Sequence, residues 1–456
     1  MRLSRRDFTR QAILAGGSVA LGCATQVSPA GPQTPPTYSG LPDPTTSGIQ
    51  HVVVVTMENR SFDHLLGWLP NAAGQQSGLT YTDNAGVTHA SYALSGDYTG
   101  CPHRDPDHGY SGARITYNGG KMDGFLKDPK NDIFSIGYYQ ESDIPFYAAL
   151  ARNYTACDQY HASILGPTFP NRMFLFAGQT DRTDDSVSIS SLPTILDKLA
   201  AANVSHNYYY SNIPYLTMWA AQYLGISKFY TQFLTDAANG TLPAVSFVDP
   251  FYTVLDDGTG NDDHPHADIR RGEVFLHDVF RALATGPAWA STVLIINFDE
   301  WGGFFEHIAP PRAIAPNNVD TDLVGGKALL GYRLPVVIAS PWTVGKTASP
   351  RISSLTYDHT SVLKLIEWRW GLTPLTARDA SSDISNLAYA FNFTSPQTAV
   401  PSLPTPTPPP IVPCLQNPGG IFGALRGNDP GVAAASSSEK WDSLRTMAAG
   451  YGFPVK

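Results

Sequence analysis

Four short apolar runs constrain this chain more than any other feature. They are His51-Val52-Val53-Val54-Val55-Thr56, Ala244-Val245-Ser246-Phe247-Val248, Thr292-Val293-Leu294-Ile295-Ile296-Asn297-Phe298 and Leu334-Pro335-Val336-Val337-Ile338-Ala339. Short β-branched runs without polar alternation are strands of a sheet covered on both faces. Helical stretches lie between them. Residues 191–202 begin with Ser191 and Pro193, a helix-start signal. Residues 267–284 place Ile269, Phe275, Val279, Phe280 and Leu283 at helical spacing, and 359–370 set Val362, Leu363, Ile366 and Trp370 on one side. Strands alternating with helices predict an α/β protein: a mostly parallel central sheet with helices on both faces.

The 456 residues are 42% hydrophobic and 15% charged, which excludes a disordered chain. Formal charge is −9, and no Lys/Arg-rich run appears, so no nucleic-acid partner is expected. Past the N-terminus no apolar run is long enough to span a membrane. Residues 74–160 are polar, aromatic and Gly-rich, and are expected to leave the sheet as a long loop-rich excursion forming the wall of a site. Residues 404–413 are a Pro-rich connector, and a short amphipathic helix is expected at 441–449.

The first residues, Ser4-Arg5-Arg6-Asp7-Phe8, precede a mildly apolar, small-residue stretch and resemble a twin-arginine (Tat) export signal. That route carries folded proteins, which suits a chain that loads a cofactor first. Cys23 ends the apolar stretch as Ala20-Leu21-Gly22-Cys23, half of a lipoprotein box; cleavage near Ala24 is the alternative. The expected product is periplasmic, secreted or anchored to the cell envelope. Cys101, Cys157 and Cys414 allow one disulfide in an oxidising compartment, with the pairing open.

Ligands of open α/β sheets bind beyond the carboxyl ends of the strands. The first run is followed by Met57-Glu58-Asn59-Arg60-Ser61, the second by Asp249 and the third by Asp299-Glu300-Trp301-Gly302-Gly303. Carboxylate and amide oxygens converging from two strand ends suit one hard divalent cation. In Gly166-Pro167-Thr168-Phe169-Pro170-Asn171-Arg172 a Pro-pinned turn precedes an apolar helix. Thr168 there is either a helix cap or, beside a metal, a nucleophile toward phosphate. His103 and His108 lie in one Pro-punctuated loop, and His264 and His266 in another. Loop histidines can bond phosphate oxygens or protonate a leaving alkoxide. His307 and His359 fit either site or scaffold. Tyr138, Tyr139 and Tyr208–Tyr210 fit either packing or a cation–π box for a quaternary ammonium.

Together these blocks resemble the bacterial phospholipase C and acid phosphatase family of phosphoesterases. The matching stretches are HVVVVTMENRSFDHLLG (51–67), Asp107-His108 through Met122-Asp123-Gly124-Phe125, GPTFPNR (166–172), NDDHP (261–265), FDEWGGFFEHIAPP (298–311) and YDHTSVLKLIEWRWGL (357–372). The resemblance implies an alkaline-phosphatase-like α/β fold. It implies metal ligands at Glu58, Asn59, Thr168, Asp299 and Glu300, with Thr168 as nucleophile. Asn171, His108 and His264 match positions that hold phosphoryl oxygens or handle protons. His206 is the one histidine in the interval where the family has another. Glu306 departs from the Asp that many relatives have before His307. The expected organisation is signal 1–23, Pro/Thr-rich linker 24–48, catalytic domain 49–400, and Pro-rich connector with C-terminal extension 401–456. The expected activity is metal-dependent hydrolysis of a phospholipid or small phosphate ester through a phosphothreonine, with membrane contact through the substrate or a lipid anchor. Thr168 leans toward the phospholipase C branch; an acid phosphatase is the alternative, and a non-catalytic surface binding protein the third reading.

Overall fold

The computed structural model describes residues 35, 37–254, 258–414 and 440–456. Pro35–Lys456 forms one compact unit, so residues 401–414 and 440–456 of the C-terminal extension belong to the same body as the sheet. The Arg5-Arg6 segment, Cys23 and linker residues 24–34 and 36 lie outside the described residues. Among the described residues no helix is long and apolar enough to cross a membrane.

The central sheet has eight strands: β1 (His51–Met57), β2 (Thr155–Cys157), β3 (His206–Tyr210), β4 (Ser227–Phe229), β5 (Val245–Val248), β6 (Thr292–Phe298), β7 (Val336–Ala339) and β8 (Arg351–Ser353). Their order is β8-β2-β7-β6-β1-β5-β3-β4. β7 runs antiparallel to both neighbours, and every other adjacent pair is parallel. The four apolar runs are therefore the four adjacent central strands, β7-β6-β1-β5. Each is buried along its whole length apart from His51, so both faces of the sheet are covered.

The covering helices are α1 (Tyr110–Tyr117), α2 (Pro145–Asn153), α3 (Thr168–Ala177), α4 (Ile195–Ala201), α5 (Tyr230–Asn239), α6 (Ile269–Ala284), α7 (His359–Trp370) and α8 (Trp441–Gly450). One packed group joins α3 to α4 and α7, and another joins α6 to α2 and α5. α6 buries Ile269, Phe275, Leu276, Val279, Phe280 and Leu283, the stripe its periodicity predicts.

The excursion is shorter than expected, because α2 and β2 already belong to the body. Before α2 it holds a hairpin, Thr80–Thr82 with Thr88–Ala90, and α1. Its Phe125, Ile136 and Tyr138 share an apolar cluster with Trp301, Phe305 and Tyr332, so this wall leans on the segment that follows β6. Tyr208, Tyr209 and Tyr210 are strand residues with no exposure, and Tyr139 is equally buried. They pack the core and form no ammonium box.

Candidate active site

Strand register builds the centre. Met57 pairs with Phe298, so Glu58 and Asp299 leave the sheet side by side. Val55 pairs with Val248, which puts Asp249 on the other flank. Backbone bonds then lock the strand ends together. Glu58 N donates to Asp262 O (2.7 Å), Asp299 N to Met57 O (3.1 Å) and Arg60 N to Glu300 O (3.1 Å). Asp299 Oδ1 accepts from Asn59 N at 3.0 Å and Glu300 N at 2.7 Å. Asn59 sits at φ +58°, a left-handed conformation that Asn tolerates. Gly302 also has positive φ, and a Cβ there would lie 2.0 Å from Asn59 O, so only glycine fits. Gly302 N donates to Glu300 Oε2 at 2.7 Å and orients that carboxylate.

Thr168 is the first residue of α3, with Pro167 as N-cap. Its hydroxyl caps nothing and donates instead to Asn59 Oδ1 at 3.3 Å. Thr168 and Asn59 are fully buried. Asn171 holds this turn rather than a ligand. Its Oδ1 accepts from Ile164 N (3.1 Å), and its Nδ2 donates to Gly166 O (2.8 Å) and Pro167 O (3.0 Å). The carboxamide is consumed by its own backbone, which corrects its expected contact with phosphoryl oxygens.

Arg172, one turn into α3, is the residue that sequence reasoning missed. Its guanidinium ion-pairs with Glu58, with Asp249 at 3.0 Å and with Asp299 at 3.5 Å, and also donates to Thr56 O at 3.3 Å. The helical spacing of Thr168 and Arg172 (i, i+4) was the available signal. Burial opposes the charge on Arg172, but Tyr252, Glu58, Asp249 and Asp299 outweigh it and raise its pKa. Glu58 is pushed well above the usual carboxylate range by burial, reinforced by Asp299.

One guanidinium does not balance Glu58, Asp249, Asp299 and Glu300. Among the described residues Glu58 Oε2 and Asp299 Oδ2 are buried without a hydrogen-bond donor, although Arg172 Nε stands 3.5 Å from Asp299 Oδ2. Buried carboxylates with unsatisfied lone pairs, beside an amide and a hydroxyl oxygen, fit a hard cation. The Arg172 guanidinium is shared between Glu58 and Asp299. The described residues hold two groups whose ligand atoms all lie within 4.8 Å of one another, and these are Asp105, His108 and His264, and Asp63, Glu306 and His307.

His108 and His264 face the carboxylates. His108 Nε2 is 3.9 Å from Glu300 Oε1, and the two imidazole centroids are 6.0 Å apart. His108 Nδ1 donates to Pro106 O at 2.7 Å, and His264 Nδ1 to Pro265 O. Both rings therefore present Nε2 inward.

The three additional histidines fall outside this centre. His206 starts β3 at the amino edge of the sheet, opposite the strand ends that carry the site, and donates to Val204 O. His359 puts Nε2 on Phe298 O at 3.0 Å and Nδ1 on Ser163 Oγ at 3.1 Å. Burial lowers its pKa, and with both nitrogens engaged it braces the end of β6. His307 bonds Asp63 in a separate cluster with Glu306 and Arg333. Glu306, the departure from the family pattern, accepts from Asp63 N and pairs with Arg333 there. The one disulfide among the described residues joins Cys101 to Cys414, and Cys157 is buried and free.

Residues 49–373, which include these strand-end carboxylates, the Thr168 hydroxyl and both imidazoles, match the phosphoesterase family. The chain is a member of that family. It is 31% identical to the non-specific phospholipase C6 of Arabidopsis thaliana, over 79% of this chain and 76% of the relative. It is 29% identical to phospholipase C A of Mycobacterium tuberculosis, over 94% and 93%. A protein of the alkaline phosphatase superfamily from Vibrio parahaemolyticus aligns over 74% of this chain and 69% of its own, at 10% identity and TM-score 0.34.

Proposed function

We propose that this chain is an exported phospholipase C-type hydrolase that cleaves phosphodiesters through a phosphothreonine. One observation carries the reading: the Thr168 hydroxyl, at the start of α3, is 3.3 Å from Asn59 Oδ1 at the edge of the buried carboxylates. Glu58, Asn59, Asp299 and Glu300, with the Thr168 oxygen, would hold one divalent cation. When bound, that cation supplies positive charge that favours the Thr168 alkoxide and screens the phosphoryl oxygens.

Thr168 Oγ1 attacks phosphorus and the bond from phosphorus to the glycerol oxygen breaks. His264 gives its Nε2 proton to that leaving oxygen. His108 donates from Nε2 to an equatorial oxygen, where fixed donors stabilise developing charge. With each Nδ1 proton committed to a backbone carbonyl, donation from Nε2 requires the imidazolium form of either ring. Water then cleaves the phosphothreonine, releasing the phosphorylated head group and restoring Thr168. Asn171 acts by fixing the Thr168 turn.

The relatives named as phospholipases C support the substrate class, and the Cys101–Cys414 bridge suits the oxidising side of a membrane. The deciding experiment is a panel of a phosphocholine diester, other head-group diesters and a chromogenic monoester, with elemental analysis of the purified protein. Diester cleavage with bound divalent metal is expected. Monoester cleavage alone would replace the reading with an acid phosphatase, and no turnover with any ester would leave only a binding protein. Replacing Arg5 and Arg6 by Lys should trap unprocessed chain in the cytoplasm; normal export of that variant would refute the twin-arginine route.

A further inference from the structure

The family match ends at residue 373, yet the last turns of the chain reach the candidate centre. α8 buries Trp441, Leu444 and Ala448. The chain end is tied down by Tyr210 Oη donating to Pro454 O (2.6 Å) and Lys456 N donating to Asn212 O (3.2 Å). Trp441 is 2% exposed. Its indole stacks on Tyr252, with centroids 3.8 Å apart and planes at 14°, and meets the Phe169 ring edge-on at 5.2 Å.

The same indole lies over Arg172, whose Cζ is 5.6 Å from the ring centroid. Tyr252 at 5.0 Å and Tyr215 at 5.8 Å complete an aromatic box around the guanidinium. The N–H groups of Arg172 serve Glu58, Asp249 and Asp299, and its Cζ stands beside the stacked Trp441–Tyr252 pair. Arginine is the cation for such a position, because it is weakly hydrated and stacks on aromatic faces while donating in its own plane. Among the described residues the indole N–H has no hydrogen-bond partner, so Trp441 meets its neighbours through ring contacts.

We propose that Trp441 is a positioning residue for the phosphoesterase reaction. It fixes Arg172, and through it the Glu58 and Asp299 carboxylates, while its contact with Phe169 steadies the neighbouring Thr168. The proposal rests on the reading of these residues as the reaction centre. Losing the indole would leave one side of the guanidinium without a wall, so the carboxylates it orients would lose their spacing. Outer partners of this kind are worth roughly 10–100-fold in metal affinity or activity.

The test compares Trp441→Phe, Trp441→Leu and Trp441→Ala in the full chain, with Leu444→Ala as a control in the same helix and Thr168→Ala alongside. Readouts are kcat and KM on a chromogenic phosphodiester and Mn²⁺ binding by calorimetry. Trp441→Leu and Trp441→Ala should lower kcat and weaken Mn²⁺ binding by about tenfold or more, with KM little changed. Trp441→Phe should recover most of both, and Leu444→Ala should lower stability alone. If Trp441→Ala does not fold, the Phe–Leu pair decides. Equal kcat and Mn²⁺ affinity in Phe, Leu and wild type, or equal losses in Leu444→Ala, would overturn the proposal. An active Thr168→Ala would instead refute the reading of the centre, whatever the Trp441 variants do.

Discussion

Two buried carboxylate clusters hang from the same two stretches of chain, and they end differently. In the first, Asp63 and Glu306 surround Arg333, and every carboxylate oxygen has a donor. Asp63 Oδ1 takes Gln75 N and Arg333 Nη2, and its Oδ2 takes the His307 backbone and ring. Glu306 Oε1 takes Asp63 N and Oε2 takes Arg333 Nε. In the second, Glu58 and Asp299 surround Arg172, yet each keeps an oxygen without a donor. Composition does not separate the two clusters, since both hold acids, an arginine and a neighbouring histidine. Saturation does. Every carboxylate oxygen of the first cluster already accepts a bond, whereas the second keeps oxygens open to a further partner.

The largest effect expected from this contrast is at the second cluster. Thr168→Ala should lose several orders of magnitude in kcat with the fold intact, and Thr168→Ser should keep part of it. Acid quench with labelled substrate should trap label on Thr168; label on another residue would refute the assignment. Next comes Arg333→Met in the saturated cluster. Stranding two buried acids should lower stability by about 3–5 kcal/mol in denaturant titration, while kcat per folded molecule stays near wild type. A matching collapse of kcat would erase the distinction between the clusters. Asp299→Asn should then cost on the order of 10²–10³ in kcat/KM and release the metal found by elemental analysis. A chelator should lower Tm for wild type but not for that variant, because only the metal-binding form has a ligand to lose.

The smallest effect concerns a third way of burying an acid. Glu273 lies outside both clusters with no cation beside it and accepts from Phe146 N and Tyr147 N. Burial pushes its pKa up to about 8. Between the ordinary glutamate pKa and about 8, the folded chain holds a proton that the unfolded chain releases. That contribution is complete below the ordinary value and is lost as pH rises, at most about 1.4 kcal/mol per pH unit. Glu273→Gln should flatten the fall in stability over this window. An unchanged slope would show that Glu273 stays ionised.

The centre of the sheet was legible because β7, β6, β1 and β5 are buried on both faces and so consist of unbroken apolar runs. The outer strands were not. β2, β4 and β8 are three residues each, too short for a period, and β3 reads His-Asn-Tyr-Tyr-Tyr, which looks like a rim cluster. The strand ends carry Glu58, Asn59, Asp299 and Glu300 to one edge of the sheet, and Thr168 meets Asn59 from the start of α3. His206 was matched only as the one histidine in its interval, and it opens β3 at the other end of the sheet, a position that an unrecognised strand conceals. Asn171 was misread because a side chain can spend all its polar atoms on its own turn, which sequence does not reveal. Trp441 lay beyond reach, since nothing local marks a terminal helix as neighbour to a residue near 172.

The strand order has a consequence for how the chain is made. β1 is the first strand synthesised and lies inside the sheet, but its partners β5 and β6 begin at Val245 and Thr292. A nascent chain that stops short of residue 244 carries an apolar ribbon with both edges open, the form most prone to pair with another copy. Closure pairs β1 with strands far along the chain, and such non-local pairing is slow. The same closure draws Glu58 and Asp299 together, so the centre assembles only once the middle of the sheet has zipped.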